Sequence, residues 1–439
     1  MIACLLALAL WSAPAGQVAP SPDSAMTLTL DDAVRMALAR SYQLQRSERS
    51  ERIASERINS ARAALGPHLD LSIGADQTQR YYDFRGAYDY SVATPQFSAT
   101  AGINAYYDFD ISGARKRSLE QSRLSGRSGA VDVELTALNV AIDARLTYIQ
   151  ALRAQQQMEI DREYLLLLEK LIAGAASRQP SVVDFLETER SNAALVLDQS
   201  KQGAQLALSN LRQLLRMETN QAVRLTTTLT DAAPVPPVTR LLELAYANRS
   251  DIRQSGIRLR QAKIAQSQAT DFRWPSLRVS AFASHSLTGE ALVHRWSDIG
   301  RSNSAGVALS FNLPIWSYDG GELSAARHIA AIQAEQALAD AEEAKERARN
   351  EIAAEMIGID RARSRIEQTP DAMQARQALQ RAEEAMLSAS PKDAPGLLAQ
   401  VSNARQNWRS SVTLKYDALA AFYGEYFRLQ RTLGTDAMK

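Results

Sequence analysis

Residues 97–110 read Phe-Ser-Ala-Thr-Ala-Gly-Ile-Asn-Ala-Tyr-Tyr-Asp-Phe-Asp, and Gly113 follows them shortly before a long stretch without proline. Apolar side chains occupy every second position of this segment, and the positions between them are small or polar. Such alternation predicts a β-strand with one apolar and one polar face. From Ala114 to about Ala176 the periodicity is helical, and a helix of roughly 63 residues would be about 95 Å long. A strand that is followed by a glycine and then by so long a helix is the feature from which the fold is predicted.

The same order of landmarks occurs twice along the chain. In each copy a proline ends a helical pattern and is followed by an alternating one. A glycine then ends the alternating pattern and is followed by a long helix. Three pairs share an offset of 208 residues: 37–44 with 245–252, Pro67 with Pro275, and Gly113 with Gly321. We therefore predict two structural repeats joined at a proline-rich linker. Their bounds are 16–233, with a hairpin at 68–110, and 234–439, with a hairpin at 276–315.

Each repeat is predicted to contain helices, a strand pair and two long helices. Thr29 or Asp31 can cap the first short helix. In the second repeat the long helical pattern runs from Glu322 to about Ser388, and Pro370 should break or kink it. Apolar stripes with steps of three and four residues indicate that each long helix buries one face against its neighbours. Such helices cannot fold into a ball, so they predict a rod or tube of coiled-coil-like pairs.

Charge balance and cysteine content exclude several classes of protein. The chain of 439 residues has 50 Lys and Arg against 49 Asp and Glu, a net charge of +1 that excludes a strongly basic nucleic-acid binder. Cys4 is the single cysteine, so a disulfide framework or a cysteine-based zinc site cannot form. Beyond the N-terminus no apolar run reaches the roughly 18 residues that a transmembrane helix needs.

The N-terminus has the pattern of an export signal. Residues 1–15 contain no charged side chain, and an apolar run leads to Ala13-Pro14-Ala15. This pattern predicts a signal peptide that is cleaved after Ala15. No Lys or Arg precedes the apolar run, so either the signal is atypical or the true start codon lies upstream. A buried apolar helix at the N-terminus is the alternative.

No catalytic constellation is visible in the sequence. The four histidines do not pair at helical ligand spacing: His68, His285, His294 and His328. Metalloprotease, nucleophile-elbow and phosphate-loop motifs are absent from the sequence. His285 and His294 are predicted to lie in the second hairpin loop, as solvated side chains in preference to metal ligands. We therefore expect no enzymatic activity, no cofactor and no metal site.

Four predicted strands leave two open edges on one chain. The strands are long enough to cross a bilayer, and their two unlike faces suit a sheet between lipid and water, with Ile103 and Val307 on the lipid side. Open edges are not tolerated in hydrocarbon, so a membrane sheet requires oligomerisation. An eight-stranded barrel is filled by its own side chains, so an open channel needs at least three chains. Two amphipathic hairpins packed on a soluble core are the alternative.

Several segments resemble the TolC-type outer-membrane efflux protein family, in the same order and over nearly the whole mature chain. The matching segments are the opening helix LTLDDAV at 28–34, the helix-to-strand junctions LGPHL at 65–69 and RWPSL at 273–277, and the strand-to-helix junctions FDISGAR at 109–115 and LPIWSYDGG at 313–321. The resemblance implies a fold that is mainly α with membrane β. Long coiled-coil-like helices would form a periplasmic α-barrel, and four strands per chain would contribute to a 12-stranded trimeric β-barrel.

The resemblance also implies a function and partners. The protein would be a homotrimer in the cell outer membrane with a periplasmic extension. It would act as a passive exit duct for substrates delivered by an inner-membrane pump and a periplasmic adaptor protein. A duct for type I protein secretion is an alternative of the same class. A periplasmic coiled-coil spacer without a pore is an alternative of another class.

Two turns between the long helices, at 177–186 and 388–398, are the predicted inner tips of the tube. In the family such tips meet the adaptor and constrict the closed channel, and Asp184 matches the family's aspartate while Gly396 replaces it in the second tip. The candidate gate or adaptor-contact residues are Arg178, Asp184, Lys392 and Asp393. Three copies of each would form charged rings that bias a gate. A solvated turn with ordinary polar residues is the alternative.

Two further features of the sequence lead to structural predictions. Gly113 and Gly321 are predicted to be swivels where strand becomes helix, because glycine reaches dihedral angles that other residues avoid. The tyrosine-rich segment 80–90 is predicted to be a hairpin loop that contributes to an aromatic belt at the membrane interface. A contact site for external ligands is the alternative for this loop.

Overall fold

A computed structural model describes residues 26–84, 90–178, 182–218, 221–229, 232–269, 275–289, 300–313, 321–389 and 393–436. The predicted signal peptide at 1–15 lies outside the described residues, and so do His294, Lys392 and the centre of the predicted aromatic loop. These assignments stay predictions.

Long helices and a few strands make up the described chain, as the sequence predicts. In chain order the elements are β1 (Met26–Leu28), α1 (Leu30–Arg40), α2 (Tyr42–Ala63), β2 (His68–Phe84), β3 (Tyr90–Phe109), α3 (Ala114–Arg178), α4 (Val183–Leu215), β4 (Val223–Leu225), α5 (Val238–Asn248), α6 (Ser250–Gln268), β5 (Ser276–Gly289), β6 (Gly300–Asn312), α7 (Glu322–Glu367), α8 (Ala372–Ser388) and α9 (Ala394–Leu433). Among these described helices, none combines the length and the apolar content that a membrane crossing requires. The boundary between repeats at 233 and 234 stays a prediction.

Local sequence signals set the helix boundaries. Thr29 caps α1, since its hydroxyl accepts a hydrogen bond from the backbone N–H of Asp32 at 3.2 Å and the Asp32 carboxylate accepts one from the N–H of Thr29 at 3.3 Å. Pro370 lies in the gap between α7 and α8, so the predicted break is confirmed. Asp371 restarts the helix, because its carboxylate accepts a hydrogen bond from the N–H of Met373 at 2.8 Å.

The strands are longer than the sequence predicts. β2 continues to Phe84 and β3 begins at Tyr90, so the predicted loop over 80–90 is wrong at both ends. His285 lies within β5 and not in a loop, which corrects a second prediction. Cross-strand pairing explains both differences, because each ladder continues past the alternating core of the hairpin, with Arg80 opposite Thr94. Aromatic and β-branched residues favour this extension.

The chain divides into two compact units, and the sheet belongs to one of them. That unit comprises the described residues of Tyr42–Asn139, Val235–Met356 and Leu429–Lys439. Its four strands are ordered β2-β3-β5-β6, and all neighbours are antiparallel. Ile103 stands opposite Leu71 on one side and Ala283 on the other. Within the described residues, the outer edges of β2 and β6 have no strand partner.

The other unit comprises the described residues of Met1–Ser41, Val140–Pro234 and Ile357–Arg428. The short parallel pair β1 and β4 lies here, and the buried hydroxyl of Tyr148 donates to the carbonyl oxygen of Leu28 at 2.8 Å. The helices of this unit share a core that includes Leu168, Leu186 and Val401, each of them fully buried. Apolar burial along several helices stabilises this unit.

Gly113 and Gly321 both have a positive φ angle, and each directly precedes a long helix, α3 or α7. Their φ angles are 74° and 94°, in a region that favours glycine. The carbonyl oxygen of Gly113 accepts a hydrogen bond from the N–H of Arg117 at 2.9 Å, and that of Gly321 accepts one from Ala325 at 3.0 Å. Each glycine therefore carries the first hydrogen bond of a long helix. Their role as swivels stays a prediction.

We predict that Gly321→Ala destabilises the protein by about 1–2 kcal/mol, since a positive φ is strained for any residue with a Cβ atom. No atom of the described residues lies within 4 Å of the position that the new Cβ would occupy, so we expect the cost to be conformational. Gly424→Ala is the control, because that glycine lies inside α9 with similarly open space. It should stabilise the protein by about 0.5–1 kcal/mol. Thermal unfolding followed by circular dichroism measures both, and equal shifts would contradict the prediction.

Candidate functional site

One face of the sheet is mainly apolar and exposed, with the polar pair His285 and Asn303 in the same row as Ile73. Leu71, Ile73, Val307 and Leu309 are 71%, 80%, 79% and 69% exposed. Cross-strand pairing places them with Ile103, because residues opposite one another on antiparallel strands share a face. A sheet in water buries its apolar face, and a large exposed apolar surface marks an interaction with lipid or protein.

The opposite face carries mainly small and polar residues, with Phe282 and Tyr106 as larger members. Successive rows across the four strands carry residues such as Asp70, Asn104, Ser72, Gly102, Ser284 and Ser304. At the helix end of this face the Asp108 carboxylate accepts hydrogen bonds from Arg115 and from Arg278, whose Nε lies 2.5 Å from Oδ1. The Arg278 guanidinium lies 4.7 Å above the ring of Tyr106, which stacks on His68. This ionic cluster ties β3 and β5 to the start of α3.

The two tips lie in the same unit, at the ends of the long helices. Asp184 is exposed in the first turn of α4, where a carboxylate complements the helix dipole. Asp393 is exposed before α9, and its carbonyl oxygen accepts a hydrogen bond from the N–H of Gly396 at 3.0 Å. Arg178 is the last residue of α3, and its side chain is not among those described. The gate role of these residues stays a prediction.

A buried arginine links the helices that lead to the tips. Arg405 of α9 has no exposed surface, and its guanidinium donates to Glu189 of α4 at 3.2 Å and to Glu383 of α8 at 3.3 Å. The hydroxyl of Ser402 donates to the second oxygen of Glu189 at 2.6 Å. The Nε atom of Arg405 is buried without a hydrogen-bond partner among the described residues. One cation thus joins three helices, and burial raises the pKa of the Glu383 carboxyl against the opposing effect of Arg405.

A second buried ionic contact lies on the same helix. The carboxylate of Asp161 in α3 is almost fully buried and accepts a hydrogen bond from Arg409 of α9 at 2.8 Å. The guanidinium of Arg376 in α8 donates to Glu163 at 2.8 Å and lies 4.7 Å from the ring of Trp408. α9 is therefore connected to α3, α4 and α8 by charged contacts as well as by apolar packing.

Sequence reasoning missed these contacts, although one signal was present. Val401, Arg405 and Trp408 lie at steps of four and three residues on α9, and all three are buried. An arginine at an apolar position of a helical stripe requires buried carboxylates nearby. Their identity could not be predicted, because Glu189 and Glu383 come from segments that are remote in sequence.

No cluster of histidine, cysteine or carboxylate side chains suited to a metal ion occurs among the described residues. His285 forms a hydrogen bond to Asn303 on the neighbouring strand at 2.5 Å. His285 therefore forms a side-chain contact between β5 and β6.

We predict that Arg405→Met destabilises the protein by about 3–5 kcal/mol, because it leaves two poorly solvated carboxylates without their cation. Combining it with Glu189→Gln and Glu383→Gln should restore most of the loss, since no buried charge then remains. Glu383→Gln alone should cost less than Arg405→Met, because the amide oxygen still accepts a hydrogen bond from Arg405 and Glu189 still pairs with that cation. Denaturant unfolding measures the three variants against the wild-type protein. A triple variant no more stable than Arg405→Met would contradict this account.

Comparisons with known proteins identify the fold. No family model matches the sequence, and no curated protein matches it significantly. Among solved structures the chain is similar to the outer-membrane channel OprN, with 19% identity, coverage of 93% of this chain and 91% of that one, and a TM-score of 0.69. It is also similar to the outer-membrane protein VceC of Vibrio cholerae, with 18% identity, coverage of 92% and 96%, and a TM-score of 0.66.

A further similar structure is the open state of the MtrE outer-membrane channel of Neisseria gonorrhoeae, with 16% identity, coverage of 92% and 89%, and a TM-score of 0.69. The matches extend over the strands as well as the long helices, because each covers more than nine-tenths of this chain. The chain has the fold of the TolC-type outer-membrane channels.

Proposed function

We propose that this chain is one protomer of a homotrimeric outer-membrane channel with a periplasmic extension. It would be a passive exit duct in an efflux system and not an enzyme. The observation that supports this most is the sheet, whose exposed apolar face, small polar face and two open edges occur together. An isolated sheet of this kind is unstable in water and incomplete in a bilayer.

The pore-less spacer fits these features less well. In a soluble spacer the side chains of Ile73 and Leu71, which are 80% and 71% exposed, would face water. Such a surface adds no stability and promotes aggregation. A membrane surface removes that cost and leaves the polar face for water. The periplasmic adaptor and the inner-membrane pump are part of the proposal, because the resemblance to the TolC-type family implies them. A duct for type I protein secretion remains the second candidate.

The solubility, the oligomeric state and the conductance of the purified protein test the proposal. Extraction should require detergent, the protein should be trimeric by mass measurement, and planar bilayers should show stable single-channel conductance. A monomer that is soluble without detergent would contradict the proposal. Expression beside candidate pumps, with small molecules and with a secreted protein as cargo, separates efflux from protein secretion.

We predict that Ile103→Arg destabilises the assembled channel by about 2–4 kcal/mol, because the charge would face the bilayer near its midplane. Asn104→Arg is the matched control, since Asn104 is the next residue on β3 and lies on the opposite face. It should assemble normally and change conductance, because its side chain would face the channel water. Trimer melting in detergent and bilayer recording measure the two effects. Equal tolerance at both positions would overturn the assignment of faces.

We predict that the Asp184→Ala, Asp393→Ala double variant assembles normally but has altered conductance or cation preference. Both aspartates are exposed at the tips, and three copies of each would place six carboxylates around the channel end. Reversal potentials in a salt gradient measure the preference. Unchanged conductance and selectivity would remove these residues as gate elements, while Arg178 and Lys392 would remain to be tested in the same way.

A further inference from the structure

Positive charge is concentrated where the helices meet the sheet. Four helical segments adjoin the strands: 49–63 of α2, 114–128 of α3, 254–268 of α6 and 322–336 of α7. Together they carry 13 Lys or Arg against five Glu, a net charge of +8, whereas the whole chain has a net charge of +1. All four segments belong to the unit that contains the sheet.

Five of these basic side chains are exposed on one side of the helices, and we call them the basic collar: Arg62, Lys116, Arg123, Arg127 and Lys263. We propose that the basic collar binds the phosphate groups of anionic phospholipids in the periplasmic leaflet of the outer membrane. This inference rests on the proposed membrane channel and adds a lipid-binding surface to it. Arg123 pairs with Glu120 at 3.7 Å, and within the described residues the other four have no ion-pair partner.

A groove between α2 and α3 shows on which side of α3 the basic collar lies. Ser118 and Ser125 are among the residues that line this groove. Successive residues of a helix are turned by about 100°, so side chains two positions apart point about 160° away from each other. Lys116 lies two positions before Ser118, and Arg123 and Arg127 lie two positions on either side of Ser125. These three basic side chains are therefore on the side of α3 that is opposite to the groove.

The members of the basic collar on α6 and α2 lie on that same side. The side-chain amide of Gln261 in α6 donates a hydrogen bond to the Ser125 hydroxyl at 3.2 Å, so Gln261 is on the groove side. Lys263 lies two positions after Gln261 and thus points away from the groove. On α2, Arg57 lines the groove, and Arg62 is turned from it by about 140°.

The groove side of the helices continues the polar face of the sheet. The Asp108 carboxylate of that face accepts a hydrogen bond from Arg115 and lines a cavity together with Arg115 and Ala114. The groove residues Ser118 and Ser122 follow Ala114 and Arg115 by four and seven positions, a spacing that keeps residues on one side of a helix. The side that carries the basic collar therefore continues the apolar face, which faces lipid in the proposed channel.

The basic collar also lies at the depth of the lipid headgroups. Arg62 is the last residue but one of α2, and Lys116 is the third residue of α3, so both are next to strands. Lys263 lies about 8 Å along α6 from its end at Gln268. The headgroups occupy about 5–7 Å on each side of the hydrocarbon, and long basic side chains extend toward them.

Lipid is the occupant that the chain favours for this surface. Basic side chains attract the negative charge of anionic lipids, and the surface continues directly from the exposed apolar face of the sheet. Once that face lies in a bilayer, phosphate groups are present at its edge without any further partner. An acidic protein surface is the other occupant that a basic collar would suit, and the variants below exclude one of the two.

Lipid titration of the purified trimer in detergent measures the preference. The probes are phosphatidylglycerol, which is anionic, and phosphatidylcholine of the same chain length, which has no net charge. A ligand that binds the folded state raises its melting temperature, so trimer melting gives the two affinities. Phosphatidylglycerol should bind at least about tenfold more tightly, and equal affinities would overturn the inference. Inorganic phosphate at the same concentration should have no effect, and an equal effect would replace the lipid with free phosphate.

Matched variants test the basic collar itself. The Arg62→Gln, Lys263→Gln double variant should bind phosphatidylglycerol at least about tenfold more weakly, because each basic residue near an anionic surface contributes about fivefold. The control is the Arg57→Gln, Arg258→Gln double variant, which removes two exposed charges from the same two helices on the groove side. It should keep the wild-type affinity. Unchanged affinity in the first variant, or equal losses in both, would overturn the inference and leave an acidic protein as the occupant to consider.

The outcomes separate this inference from the proposed function. If the wild-type protein is trimeric and conducts but does not prefer phosphatidylglycerol, the lipid site fails and the channel stands. If the wild-type protein is a monomer that is soluble without detergent, both fail. Should the double variant at positions 62 and 263 not assemble, the single variants Arg62→Gln and Lys263→Gln decide. Each should weaken phosphatidylglycerol binding about fivefold, and wild-type affinity in both would overturn the inference.

Discussion

Unpaired strand edges are the constraint on which the rest of this structure depends. β2 offers 17 residues and β6 13 residues whose outer backbone groups have no strand partner in the described chain. In hydrocarbon each such group costs several kcal/mol, so the edges must be closed by other strands. The outer strands of one chain are different, and a copy can pair its β6 with the β2 of the next. A ring of identical chains satisfies every edge with a single repeated contact.

In a ring of identical chains the helices also have to pack against their neighbours, and side chains rather than backbone groups form those contacts. α4 buries one apolar stripe within its own chain, and Phe185, Leu195 and Leu206 of the same helix are exposed. Apolar packing between helices is tolerant of small displacements along the axis. The ion pairs of Arg405 and Arg409 are not, because they depend on particular partners at defined positions. Buried charge therefore fixes the register of α9 against α3, α4 and α8, where apolar stripes alone would leave it less defined.

Much of the fold follows from local signals in the sequence. Alternation from Phe97 to Phe109 gives the strand and its two faces, Gly113 gives the junction, and Pro370 gives the helix break. The outer parts of the hairpins were missed, because their residues do not alternate cleanly and only pairing with a neighbouring strand holds them extended. Arg405 was missed for a related reason. Its environment is created by Glu189 and Glu383, and no local pattern connects three helices that tertiary packing brings together.

The two predicted repeats have helices of similar total length but unequal continuity. α3 runs through 65 residues without interruption, whereas the corresponding stretch of the second repeat is divided into α7 and α8, of 46 and 17 residues. Pro370 corresponds by the 208-residue offset to Arg162, which lies inside α3. An uninterrupted helix resists bending through its backbone hydrogen bonds, and a gap around a proline lacks several of them. α8 is held by the ion pairs of Arg376 and Glu383 and by apolar packing of Leu379 and Met386, which are fully buried. The helical stretch that contains Pro370 is therefore divided in two, whereas α3 is continuous at the position that corresponds to it.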